Sequence, residues 1–162
     1  MNRLLALLAL LALTLSAAPA ALAAAPSDVR FEVAVVLAGS LSTSTTHGTF
    51  TLSGAINERG LESGYGRFAG QGHLKTGEPN SLHSEMTFVG ADGTIDVTLN
   101  GLFGQLPAAI AAGSGRWVIS GGTGAYADLH GQGSWTATAD FRAAIAGVGP
   151  PRVAFVLIGS AH

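Results

Sequence analysis

An all-β chain of short strands is what these 162 residues predict, and three observations predict it. Apolar and polar residues alternate with a period of two in short runs. Turn chemistry, supplied largely by 23 glycines, separates those runs. No stretch beyond the N-terminal segment carries a helical apolar period of useful length. Composition agrees: charged residues are 11% of the chain against about 25% in ordinary soluble domains. Gly, Thr, Ser and Val dominate after the N-terminus, and stretches rich in Glu, Lys, Leu and Arg are missing.

The N-terminus stands apart. Asn2 and Arg3 are polar, Leu4 to Leu15 is almost pure Leu and Ala, and small residues run on to Pro26. This is the pattern of a secretory signal peptide, with Ala21-Leu22-Ala23 as an A-x-A cleavage site. Cleavage after Ala25 would leave Pro26 directly behind the cut, so Ala23 is favoured. The competing reading, an uncleaved anchor, has a short apolar core that ends in small residues rather than a basic stop. Residues 1–23 are therefore read as a signal peptide and 24–162 as a single domain, in a secreted, periplasmic or cell-envelope protein with no membrane span after cleavage.

The strands follow in order. Val29, Phe31, Val33, Val35 and Leu37 share one face, with Arg30 and Glu32 opposite. Phe50, Leu52 and Ile56 repeat the pattern against Thr49, Thr51 and Ser53. A third run, 65–74, is rich in glycine. Runs 82–89, 94–103, 116–120, 132–141 and 153–159 complete about eight strands, spaced as in a sandwich or barrel. Asp92-Gly93 is the strongest turn signal. As the centre of a two-residue type I′ loop it pairs Ala91 with Thr94, Phe88 with Val97, Met86 with Leu99 and Thr87 with Thr98. A second hairpin about residues 75–80 would set His73 opposite His83 and Gln71 opposite Glu85. Segments 105–115 and 143–152 read as apolar loops that cap a barrel mouth or sit in a subunit interface.

Charge and residue inventory exclude several functions. Without residues 1–23 there are 7 Lys and Arg against 10 Asp and Glu, a formal charge of −3, and no basic run. Nucleic-acid binding, which needs clustered cations, is not expected. With no cysteine there is no disulfide, thiol catalysis or zinc-thiolate site. No Asn-x-Ser/Thr acceptor occurs.

The stretch GGTGAYADLHGQGSW, 121–135, poses the sharpest choice. Gly122, Gly124 and Ala127 match the dinucleotide pattern G-x-G-x-x-A behind a predicted strand. That pattern works only where a helix N-terminus holds the pyrophosphate. Here Gly131 and Gly133 interrupt after one or two turns, and strand-like alternation resumes; no Lys supplies a P-loop. A tight corner between strands explains more, with Tyr126 and Leu129 plugging one barrel end. Gly121-Gly122-Thr123-Gly124-x-Tyr126-Ala127, with Gly131 and Gly133 downstream, resembles the corner of the dirigent and allene oxide cyclase barrel superfamily. It is most similar to small secreted bacterial members, over about residues 115–141. The resemblance implies a calycin-like, antiparallel eight-stranded barrel, often trimeric, with an apolar lumen. The shared motif is architectural, so no catalytic residue is carried over.

The candidate lumen residues are Met86, Phe88, Val97, Leu99, Trp117, Trp135 and Tyr126, which either fill a core or line a cavity. His73, His83 and Glu85 on one hairpin face are a weak candidate metal set, equally readable as solvated surface residues. Tyr126, Asp128 and His130 are a candidate acid–base group at the corner. The run 153–158, apolar on both faces, is a closing strand or an oligomer interface. No cofactor is expected. The function expected is an exported, non-catalytic barrel that binds a small apolar ligand or acts as an interaction scaffold, as a possible trimer or dimer. The alternative is a cyclase- or dirigent-like enzyme acting on a reactive apolar substrate, which requires polar groups inside the lumen.

Overall fold

Period-two alternation carries one apolar face along each strand, and the sheet buries that face by closing on itself. The computed structural model describes residues 25–40, 43–69, 80–106 and 108–162. Its strands are β1 (Ser27–Ser40), β2 (Thr43–Gly54), β3 (Glu58–Ala69), β4 (Asn80–Val89), β5 (Thr94–Leu106), β6 (Ile110–Gly122), β7 (Gly131–Asp140) and β8 (Arg152–Ala161). Each pairs antiparallel with its sequence neighbours, and β1 pairs with β8 from Ser27↔Ala161 to Val36↔Arg152. The expected all-β, eight-stranded antiparallel barrel is what the chain forms. Among the described residues, helix is confined to a 3₁₀ turn at Gly124–Tyr126 and one turn, α1, at Arg142–Ile145. The candidate signal segment and His73 lie outside the described residues.

Four local expectations are corrected. β3 begins at Glu58, not Tyr65, and ends at Ala69. Its inward positions Gly60, Glu62, Gly64 and Gly66 hold no apolar side chain, so alternation did not mark them. The β3–β4 register consequently sets Arg67, not His73, opposite His83, and Tyr65, not Gln71, opposite Glu85. The apolar "loop" 105–115 is mostly strand, because β6 begins at Ile110 and small residues there make way for aromatics. A Cβ on Gly113 would come 2.5 Å from the Phe103 ring.

The fourth correction is the β4–β5 turn. Val89 pairs with Thr94, Phe88 with Ile95, Thr87 with Asp96 and Met86 with Val97, so residues 90–93 form a four-residue loop. The shift from the expected register is two residues, which leaves every side chain on its expected face. Gly93 has φ +149° and Asp92 is not in the left-handed region, so no type I′ turn forms. Tertiary contacts dominate here. Ala125 N–H donates to Asp92 O at 2.9 Å, Thr123 N–H to Thr94 O at 2.9 Å, and Thr94 N–H to Thr123 Oγ1 at 3.1 Å. The loop is shaped by the glycine corner beside it.

Aromatic rings fill most of the interior. Phe31 stacks on Phe88 at 5.1 Å and meets Trp117 edge-on at 5.6 Å; Phe50 tilts onto Phe88 at 4.9 Å. A second group joins Phe103, Trp135 and Phe155 at 5.7–6.5 Å. The two tryptophans are placed reciprocally by a repeated Gly-x-Trp on adjacent strands, Gly115-Arg116-Trp117 and Gly133-Ser134-Trp135. Register sets Trp117 opposite Gly133 and Trp135 opposite Gly115. Each indole lies over the glycine of the other triplet, and a Cβ there would come 2.7 Å and 2.8 Å from the two Nε1 atoms. Trp117 N–H reaches Ser134 O (3.1 Å) and Ile158 O (3.3 Å); Trp135 N–H reaches Arg116 O (3.1 Å) and Asn100 O (3.2 Å). Both buried donors are thereby satisfied.

Candidate functional site

The two ends of the barrel differ. At one, the 121–130 corner acts as a plug, as expected: Tyr126 is buried, and Leu129 packs against the core. Gly124 has φ +62°, and its Cβ would collide with the Asp92 carbonyl, so glycine is required. Only one 3₁₀ turn follows, which gives no helix N-terminus to hold a pyrophosphate. The Tyr126 phenol donates to Glu58 Oε2 at 3.0 Å. Burial, then the Glu58 bond and charge, push the phenol up to about 12, so it remains a donor across the physiological range. Bonds from Arg59 N–H and the Tyr126 phenol lead the causes that lower the Glu58 carboxyl. Asp128 and His130 are exposed, and the His130 backbone pairs with His162 in both directions at 2.9 Å. Tyr126 thus works with Glu58 rather than with the two residues expected beside it.

At the other end, β1 hands over to β2 and β7 to β8. A pocket of about 340 Å³ lies there, lined by Leu37, Gly39, Ser44, Phe141, Ala144, Ile145 and Pro151. The β7–β8 connection, expected as a cap or interface, forms part of this rim. Arg142 holds the start of the rim turn by gripping Asp140 with its guanidinium, at 2.6–3.2 Å, and with its backbone N–H at 3.0 Å. The side-chain bond is the leading cause that lowers the Asp140 carboxyl to about 2.

Beneath the mouth, sharing Leu37, Ser44 and Phe141 with it, is a small inner chamber. About 20 Å³ of it is open to the centre of a water molecule, room for about one water. Its apolar lining includes Leu82, Phe103, Val153 and Phe155, and its polar lining is Ser44, Thr46 and Ser84. Thr46 Oγ1 donates to Glu62 Oε1 at 2.7 Å, and Ser84 Oγ donates to Tyr65 O at 3.0 Å. Glu62 is 2% exposed, and its Oε2 and the Ser44 Oγ are buried with no hydrogen-bond partner. Burial raises the Glu62 carboxyl above its ordinary value, against the opposing pull of Thr46 and of His47.

All seven expected lumen residues point inward and are buried, Met86, Phe88, Val97, Leu99, Trp117 and Trp135 at 0–1% exposure and Tyr126 at 7%. They make the packed part of the barrel, and none of them lines the mouth or the chamber. His83 and Glu85 sit on the outer surface: His83 Nδ1 meets Asn100 Oδ1 at 2.8 Å, and Nε2 is 3.5 Å from Glu85 Oε1. Among the described residues no three His, Cys, Asp or Glu side chains gather as a metal site. The chamber residues Ser44, Thr46 and Ser84, and Glu62 bonded to Thr46, were not anticipated. The face of Phe50 and Leu52 continued back along β2 reaches Thr46 and Ser44, and that of Met86 continued along β4 reaches Ser84.

What fold and site define is a closed eight-stranded barrel, plugged at one end, with a small, mostly apolar chamber carrying three hydroxyls beneath an apolar mouth at the other. Set against protein-family models, curated proteins and solved structures, the chain has no match.

Proposed function

We propose that the protein is an exported barrel that binds a small, largely apolar ligand at its mouth. The observation that carries this reading is the pair of adjoining spaces, sharing Leu37, Ser44 and Phe141, at one end of the barrel. Apolar walls with a few convergent polar groups are the usual make-up of a small-molecule site. Export is supported by the Leu/Ala-rich N-terminus and the A-x-A at 21–23. The glycine corner supports kinship with dirigent and allene-oxide-cyclase-like barrels. Self-association through the outer face of β8, where Ile158 is exposed, belongs to the same reading.

Native mass spectrometry of the protein from its own source is the test. A discrete extra mass, released on unfolding, is expected, and the same spectra count subunits. Bare protein that also takes up no apolar fluorescent probe overturns the reading. Ala144→Trp, which crowds the rim, is expected to weaken probe uptake about tenfold. One observation favours a second reading, catalysis on a reactive apolar substrate: the buried Glu62 carboxyl, its proton held tighter by burial, can serve as an acid. Conversion of a bound substrate that stops in Glu62→Gln while binding persists would select it.

A further inference from the structure

The connection between β7 and β8 has an unusual composition for a surface that meets only water. From Ala143 to Pro151 no residue carries a polar side chain, and an arginine stands at each end, Arg142 and Arg152. Ile145 is 74% exposed and Val148 79%, the highest values among the large apolar side chains of the described residues. Ala144, Ala146 and Pro150 are exposed beside them. A contiguous apolar patch of this kind marks a contact with something apolar.

Both ends of this connection are pinned. Arg142 grips Asp140 at one, and Leu37 N–H donates to Pro151 O at 3.0 Å at the other. Between them the chain closes as a Schellman turn: Gly147, at φ +68°, donates to Ala144 O at 3.1 Å, and Val148 N–H donates to Ala143 O at 2.9 Å. That turn commonly folds its last apolar side chain back onto the helix, yet Val148 stays in water. Backbone bonds thus hold Ile145 and Val148 out in solvent at the rim of the mouth.

Charge points to the partner. Among the described residues the mouth end carries Arg67, Arg142 and Arg152 against one acid, Asp140. The plugged end is the reverse: Asp28, Glu58, Asp92, Asp96 and Asp128 stand against Arg59 and against Arg30, itself paired with Glu32 at 2.9 Å. The barrel is polarised along its axis, positive where the apolar tip lies. Two mouths face to face would bring like charges together, whereas an anionic lipid surface accepts both the cations and the apolar side chains.

We infer that the mouth end is a docking face for an anionic lipid bilayer. Ile145 and Val148 enter the head-group boundary, and Arg67, Arg142 and Arg152 meet lipid phosphates, their long stems keeping the guanidinium groups at the polar level. The inference stands whether or not the mouth takes a ligand. The chain has no cysteine, so Val148→Cys and, at the plugged end, Asp128→Cys each take a single environment-sensitive fluorophore. Protein purified from its own source is mixed at low ionic strength with vesicles of phosphatidylglycerol and phosphatidylcholine in equal parts, or of phosphatidylcholine alone. Anionic vesicles are expected to brighten and blue-shift the label at 148 and to leave that at 128 unchanged, which separates docking by this face from attachment through the N-terminus. In flotation with the same vesicles, Ile145→Ser together with Val148→Ser is expected to weaken binding about tenfold or more, and Arg152→Gln about fivefold, with melting unchanged because these side chains are exposed. No response at 148, equal responses at 148 and 128, flotation unmoved by the double substitution, or equal binding to neutral vesicles overturns the docking face. So does a self-assembled species that the double substitution dissolves while the parent ignores vesicles, which would make this end an interface between copies of the chain.

Discussion

Glu62 is the one carboxylate among the described residues that the fold takes fully out of water. Thr46 satisfies one oxygen, and nothing satisfies the other. Desolvation disfavours the charged form, and it outweighs the Thr46 bond and the His47 charge on β2. From β4 the partner opposite is Phe88, which carries no charge. A carboxyl raised in the folded state binds its proton more tightly there than in the unfolded chain. Its contribution is full below the unfolded carboxyl value and is lost as pH rises through the folded one. Glu62→Gln, isosteric with the protonated acid, is therefore expected to match the parent in acid and to exceed it increasingly toward neutral pH. Urea unfolding at a series of pH values checks this; parallel curves for the two proteins would refute it. Gly66→Ala is expected to be neutral or to stabilise by about 0.5 kcal/mol, because the backbone tolerates a side chain and the unfolded chain loses freedom.

Paired strands β6 and β7 depend on the reciprocal Gly-x-Trp arrangement. A methyl on Gly115 or Gly133 would press on a neighbouring carbonyl and on an indole that has no room to retreat. Gly133→Ala is expected to cost about 3 kcal/mol by overpacking, read as a lower denaturant midpoint at unchanged slope. Trp117→Phe keeps the ring contact with Phe31 but removes the donor shared by Ser134 and Ile158, at a cost of about 1–2 kcal/mol. The corner element carries a similar charge-assisted bond, and Tyr126→Phe is expected to cost about 1 kcal/mol. At this scale a bulge also matters: the β5–β6 register shifts between Asp96 and Val97, leaving Ser120 as the extra residue just before the corner.

The barrel as a whole is stable because closure pairs every strand on both sides. β8 is the closing strand: Val153, Phe155 and Leu157 are buried inside, while Ile158 faces out. Removal of residues 152–161 would leave β1 and β7 as open edges and expose Phe31, Phe103 and Trp135. The shortened chain is expected to lose cooperative unfolding and to aggregate, which circular dichroism melts and size-exclusion chromatography would show. A monomeric, cooperatively melting product would contradict the dependence on closure. The same closure separates the two ends, so that glycine-corner contacts seal one and the rim at Phe141, Ala144 and Ile145 frames the other.

The sequence by itself determined the class of fold, the number of strands and the inward faces of most of them. Period-two alternation is local, and a strand that must bury one face has no freedom to present the other. It also determined that 121–130 is a corner, because Gly131 and Gly133 leave no length for a helix. Only the tertiary structure decided register and site. The Asp92-Gly93 loop took four residues because Thr123 and Ala125 bond to it from 29 or more residues away. β3 was hidden because its inward glycines carry no apolar side chain to mark the face, and spacing within one strand cannot show which of them a neighbouring strand crowds. Glu62, Thr46, Ser44 and Ser84 come from three strands, and only the pairing registers of β2 with β3 and of β3 with β4 set them beside one another.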